Sequence, residues 1–375
     1  MMKFIVSSSD LNGHLQAISR VINAKNTLPI LDSFMFELRD GTLYITGSDG
    51  ETTMTTQVEV TESAKDGKLA ITAKTLLDAL REGPDQSLTF EVNEETMEVT
   101  VSYLNGHYSL MGQNADVYPM PLGLGDNATQ VTIPANVLQK AIGCTLFATA
   151  SDELRPVMNG IYFDITEQDI TFVASDGHKL VRYRSTAAHA DEQASFILPK
   201  KPAGLVKNLL TKEENDVKVA FNERNCVITV NDFRVICRLI EGKYPNYGNV
   251  IPQNNPYILT VDRQTAISSI RRVSIFSSQA SSLIKLAVAE NKLTLSAQDI
   301  DFSTSAQETI DCQYEGAPMS IGFKSSFLLE ILNNIDSEMV TFALADFARA
   351  GVIEPVTQEE TENLLMLLMP MMLNE

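Results

Sequence analysis

Ile170-Thr171-Phe172-Val173-Ala174-Ser175-Asp176-Gly177-His178-Lys179-Leu180 is the stretch that decides how this chain is read. Its first half alternates as a half-buried strand does, and Asp-Gly ends it in a tight turn. Alone, Ser175, Asp176 and His178 could pass for an active-site loop. The pattern recurs at two other places. Six, four and two residues before Asp176 stand Ile170, Phe172 and Ala174. The same offsets give Leu43, Ile45 and Gly47 before Asp49, and Leu293, Leu295 and Ala297 before Asp299. The register extends upstream to Phe34, Ile161 and Ile284 and to Phe36, Phe163 and Leu286. Downstream it reaches Lys74, Lys201 and Lys324. The aspartates are 127 and 123 residues apart, the size of a small domain and too long for a solenoid unit. The expectation is three tandem copies of one fold, at 1–127, 128–253 and 254–375.

Each copy reads as an α+β domain, two helices among short antiparallel strands. In the first, Asp10 is placed to cap a helix whose stripe is Leu11, Leu15, Ile18 and Ile22. Lys74 to Leu80 is its second helix. The later helices are expected near 134–150, 199–210, 262–278 and 324–333. Pro/Gly-rich joints begin at Tyr118-Pro119 and Tyr244-Pro245. The segment 342–362 reads mostly as a solvated loop before a last apolar strand, Leu364 to Leu373. Similar domains in one chain suggest an arc that a second chain would close.

The chain has 375 residues and 44% hydrophobic content, enough for several cores. No apolar run reaches the ~18 residues of a membrane span, and Met1-Met2-Lys3-Phe4-Ile5 lacks the apolar core of a signal peptide. Cys144, Cys226, Cys237 and Cys312 have no metal or redox spacing, which reads as reduced thiols in a cytoplasmic protein. The net charge of −19 argues at first against nucleic acid. Yet windows over the six expected helices and their ends, 9–25, 73–82, 134–150, 199–212, 261–280 and 322–333, sum to +8 and the remainder to −27. Either basic residues sit on solvated helix faces, or the helices share a face that attracts a phosphate backbone while the rest repels it.

Ser175, Asp176 and His178 lie too close on one strand and turn to converge as nucleophile, base and orienter. The echoed aspartates lack the histidine, and His14, His107, His178 and His189 have no metal spacing. Neither catalysis nor a cofactor or metal is expected. A repeat-built interaction scaffold that never meets DNA stays open as an alternative.

Several stretches together resemble the bacterial DNA polymerase III beta subunit, the processivity sliding clamp. They are Met2-Lys3-Phe4, Thr27-Leu28-Pro29-Ile30-Leu31, the Ser175–Leu180 turn, Arg238-Leu239-Ile240-Glu241-Gly242-Lys243-Tyr244-Pro245-Asn246-Tyr247 and Met369-Pro370-Met371. The resemblance implies a head-to-tail homodimeric ring that encircles duplex DNA, without sequence readout and in the cytoplasm at the nucleoid. It implies a DNA-facing role for Lys25; to this the helix positions add Arg20, Lys140, Lys200, Lys201, Lys207, Arg263, Arg271 and Arg272. It also implies a groove that takes short linear motifs of the replicative polymerase, the clamp loader, repair polymerases and ligase-type proteins. Its wall would be Arg155, Met158, Ser175, Gly177, His178, Lys179 and Leu180. Its floor would be Pro245, Val250, Leu367, Leu368, Met369, Pro370, Met371 and Leu373. For the dimer interface it implies Tyr108 and Leu110 on one side, Ile275 and Phe276 on the other. Gly248, Asn249 and Met372 stand where the family often has basic residues, and Asn374-Glu375 extends past its usual end. The groove should be less basic than usual, which leaves its preferred motif open.

Overall fold

The computed structural model of the chain describes residues 1–121, 123–125 and 128–373. Leu122 of the first joint, the expected boundary at 127 and Asn374-Glu375 lie outside the described residues. Six α-helices occur among the described residues: α1 Ser8–Ser19, α2 Ala73–Glu82, α3 Ala135–Thr145, α4 Lys200–Leu209, α5 Arg263–Ser274 and α6 Ser325–Asn333. All other regular structure is antiparallel strand and short 3-10 turn. The chain packs as two compact units, Met1–Asn136 with Gly204–Leu239 and Val137–Ala203 with Ile240–Glu375. The middle stretch of the repeat register contributes to both.

The positions that match across the three copies are core. Phe34, Ile161 and Ile284 are fully buried, as are Leu43, Ile45, Ile170, Phe172 and Leu295, and Leu293 nearly so. Gly47 shows why the third matching position is small. A Cβ there would lie 2.5 Å from Ile18 Cγ2 on α1. A β-branched residue cannot swing that methyl aside. Gly47→Val should therefore cost about 1–3 kcal/mol by overpacking, read as a lowered melting temperature with the secondary structure retained.

The aspartates themselves make turns. Asp176 Oδ1 accepts from the backbone N–H of His178 at 2.8 Å and of Lys179 at 2.9 Å. Asp49 does the same for Glu51 and Thr52 at 2.9 and 2.7 Å, and Asp299 for Asp301 and Phe302 at 3.0 and 3.2 Å. An Asx carboxylate that satisfies two turn amides replaces the hydrogen bonds the strand ladder gives up there. Gly50 and Gly177 follow with φ of 95° and 90°, which L side chains rarely adopt. The third turn has Ile300 instead and is longer: its strand resumes at Thr304, against Thr52 and Lys179 in the others.

One strand junction occurs once in each unit. In the first unit, Thr52–Glu59 leaves the Asp49 turn and pairs with Phe233–Arg238, Met54 opposite Val235. In the second, Lys179–Ser185 leaves the Asp176 turn and pairs with Glu362–Leu368, Val181 opposite Met366. Each joins the strand after an aspartate turn to the final strand of the next copy. Two such strands lack that partner. Thr304–Asp311 is the edge of a four-stranded sheet and, among the described residues, pairs only with Lys292–Asp299. Gly106–Gln113 pairs with Glu98–Tyr103, and on its other side meets Gly67–Thr72 only through Gly112 and Gln113.

Two local expectations are corrected. α1 is capped by Ser7, whose hydroxyl accepts from the Asp10 N–H at 3.4 Å, so Asp10 falls in the first turn. A serine between a strand and a helix looks like either, which hid the cap. The segment 342–362 is not one continuous loop: paired stretches interrupt it at 342–344 and 351–355. Met339–Leu344 and Gly351–Pro355 are strands, and the second lies against Glu362–Leu368. Its alanine-rich turn, 345–350, hides a short strand on either side of it.

Candidate peptide groove and basic helix faces

The expected groove residues all fall in the second unit, which brings them together. Leu180 is opposite Leu367 and Lys179 opposite Leu368 in the central strand pair. Past that pair, the Met369 N–H donates to the His178 carbonyl at 2.8 Å, and the Met371 N–H to the Gly322 carbonyl at 2.8 Å. The terminal Met-Pro-Met segment is thus pinned beside the Asp176 turn. Leu180, Val173, Ile197, Tyr244, Ile251, Val352, Leu365 and Leu367 form one apolar cluster, with Val157, Tyr162, Ile240 and Tyr247 packed against it. Tyr162 and Tyr244 stack with centroids 4.8 Å apart, and the Tyr247 hydroxyl donates to Asp164 at 3.1 Å. These rings hold the 244–251 segment over the sheet, which leaves Pro245 and Val250 at the surface.

The residues divide by exposure. Met158, Lys179, Leu180, Leu367 and Leu368 are buried. Arg155, Gly177, His178, Pro245, Val250 and Met369 are exposed, and Ser175, Pro370, Met371 and Leu373 are intermediate. Arg155 pairs with Asp152 at 2.8 Å, and its guanidinium passes within 2.9 Å of where a Cβ on Gly177 would be. A side chain there would displace the arginine. The outcome is an apolar base with a mixed rim of methionine, proline, histidine and arginine. Methionine at such a rim adapts to different side chains.

Lys179 does not face the groove. Its side chain is 5% exposed, with the ammonium 2.7 Å from Asp176, 3.1 Å from Glu330 on α6 and 4.2 Å above the Phe327 ring. Burial alone would raise the Asp176 carboxyl pKa. The Lys179 ammonium and the two turn N–H groups outweigh it and hold that pKa below the usual carboxylate range. His178 stacks on Phe327 at 5.8 Å, and Lys324 lies 4.6 Å from that ring's centroid. Phe327 and Glu330 are thus neighbours of the turn that the sequence alone did not reveal. The only signal for them was position: both sit just downstream of the repeated Lys324.

The Ser175 hydroxyl donates to the Lys179 carbonyl at 2.8 Å and accepts from the Gly177 N–H at 3.2 Å. Ser175, Asp176 and His178 build a turn, and no nucleophile and base converge there.

The expected DNA-facing cations fall into two groups. Arg20, Lys25, Lys200 and Lys207 are exposed, as is Arg271, which donates to Asn333 at 3.5 Å. Lys201 is half-buried and has an interaction of its own. The other three are engaged. Lys140 is ion-paired with Glu362, Arg272 with Glu308, and Arg263 donates to the Ser337 and Leu332 carbonyls at 2.7 and 3.2 Å, past and at the end of α6. Of the expected interface residues, Tyr108 and Leu110 are half-buried on Gly106–Gln113. Ile275 and Phe276 are exposed where α5 ends.

Repeated α+β modules, turn-forming aspartates and an apolar surface with an adaptable rim define a binding protein. Comparison with known proteins gives its family. Models of the N-terminal, central and C-terminal domains of the DNA polymerase III beta subunit match residues 2–122, 132–246 and 248–371. The beta sliding clamp of Escherichia coli K12 is 28% identical over 367 residues, 97% of this chain and 99% of the relative; that of Haemophilus influenzae is 27% identical over 370. Among solved structures, the DnaN sliding clamp of Pseudomonas aeruginosa bound to griselimycin superposes with a TM-score of 0.93 at 25% identity, and that of Bartonella birtlesii with 0.92 at 27%. Each comparison covers 99% of this chain and all of the other. The chain belongs to the DNA polymerase III beta subunit family, the sliding clamps that serve the polymerase as non-catalytic processivity factors.

Proposed function

We propose that two copies close head to tail into a ring that encircles duplex DNA, with domains at 1–127, 128–253 and 254–375. The observation that carries this is the strand junction made once in each unit. The two strands that lack it, Thr304–Asp311 and Gly106–Gln113, are the two halves of a third such junction. One chain that supplies one half at each end closes by adding a second, and closure covers edges that would otherwise invite aggregation. Tyr108 and Leu110 on one edge and Ile275 and Phe276 beside the other then belong to the interface.

DNA binding in this reading comes from helix lysines and arginines on phosphate oxygens. Such pairings position a duplex without reading bases and so allow sliding. Arg20, Lys25, Lys200, Lys201, Lys207 and Arg271 are the main set. Of these Lys201 contributes less than the exposed five, as do Lys140, Arg263 and Arg272, because each already has an interaction within the protein. The groove takes short apolar motifs of the replicative polymerase, and through it the clamp loader, repair polymerases and ligase-type proteins. Met158, Leu180, Leu367 and Leu368 form its base. Arg155, Ser175, Gly177, His178, Pro245, Val250, Met369, Pro370, Met371 and Leu373 form its rim, and Lys179 supports it from behind. The site of action is the cytoplasm, at the nucleoid.

The test is topological. Protein loaded on nicked circular DNA by a clamp loader should stay bound through gel filtration and be released when the circle is cut once. Retention on the cut DNA would mean ordinary surface binding.

A further inference from the structure

We propose that the ring closes chiefly through an apolar contact in which Phe302, on the lengthened turn after Asp299, seats against Leu77 of the partner subunit. The inference rests on the ring reading above and adds what holds the junction. The second turn shows what such a turn docks on. His178, two residues after Asp176, stacks on Phe327, three residues after the repeated Lys324. The same register in the first copy is three residues after Lys74, which is Leu77. Within its own chain α2 buries Leu76 and Leu80, and Leu77 stays half-exposed beside that stripe.

The third turn is longer than the other two and carries Ile300 and Phe302, which are 76% and 78% exposed. Ile275, also 76% exposed, belongs to the same copy at the end of α5. Large apolar side chains left out this way mark an interaction surface. Charge offers little alternative. Gly106–Gln113 contains no Asp, Glu, Lys or Arg. On Thr304–Asp311 the two acids are taken, Glu308 by Arg272 and Asp311 by Lys292. Lys74 and Asp301 are exposed and could meet across the junction, but such a solvated pair contributes little. The occupant is therefore a second copy of this chain; the position that matches His178 is Asp301, and the lengthened turn adds Phe302 next to it as the hydrophobic knob.

The test is sedimentation of the full chain. Phe302 is exposed, so Phe302→Asp should leave the fold of the single chain unchanged, read as an unaltered circular dichroism spectrum. It should raise the dimer dissociation constant about a hundredfold, tenfold for each of two junctions per ring. Adding Leu77→Lys in the same chain should recover at least about tenfold and make the dimer salt-sensitive. The wild-type dimer should change less than about threefold over the same salt range. A Phe302→Asp dimer as tight as wild type, with Phe276→Asp still disruptive, would overturn this pairing and leave the ring intact. A wild-type monomer at micromolar concentration would overturn both.

Discussion

Protein carrying Lys200→Glu and Lys207→Glu should be retained on nicked circular DNA at least about tenfold less long than wild type at moderate salt, with its dimer and melting temperature unchanged. Both lysines are exposed on α4, so the fold has little at stake; surface substitutions of this kind stay within about 0.5 kcal/mol. Lys201 is left native because it is half-buried and has a partner. Each reversal changes two charges, and a ring of two copies doubles the number. A lysine that no longer neutralises a phosphate also takes about 0.9 off the slope of log affinity against log salt. With two such lysines reversed in each copy, that slope should flatten by about 3 to 4. Retention equal to wild type, with the same slope, would mean that α4 does not face the phosphates. The bland alternative, that basic residues merely solvate helix faces, would then stand.

The fold was legible because its signal repeats. One strand-turn with a Ser, an Asp and a His suggests chemistry. Three in register, only one with the histidine, suggest architecture, and the hydrogen bonds of Asp49, Asp176 and Asp299 show which it is. The register was readable because each matching residue is core, where side-chain size is constrained by close packing. Gly47 against Ile18 is the sharpest case. Less legible was anything decided by which way a long side chain turns. Lys179 follows His178 in the groove motif, yet its aliphatic stem runs inward to α6 while His178 stays out. Lys140 and Arg272 count as basic helix residues in a charge sum, but acids from distant strands neutralise them locally. Spacing gives a residue's face on its own element. It does not give the partner that a remote element brings.

Lys179 itself bears the second large effect. Lys179→Met should lower stability by about 3 kcal/mol, because removing one member of a buried ion pair leaves the other uncompensated. Asp176 is the group left behind, mostly shielded from water, whereas Glu330 is half-exposed and can rehydrate. In calorimetry the effect should appear as a fall of about 6–12 °C in the melting transition. Its pH dependence follows from the depressed Asp176 pKa. A carboxyl held low when folded stabilises above its unfolded pKa, about 3.9, and that contribution fades as pH falls through the folded value. The gap between wild type and variant should thus be full at neutral pH and shrink below about pH 4. Groove affinity should fall with it. The turn that Lys179 supports carries the His178 carbonyl, which receives the Met369 N–H, and the His178 ring, which lies on Phe327. Lys179→Arg keeps the charge and should retain most of both properties. A Lys179→Met protein that melted and bound a fluorescent polymerase-tail peptide like wild type would show that Asp176 and Phe327 hold the turn without the ammonium. The coupling of groove wall to α6 would then be packing alone.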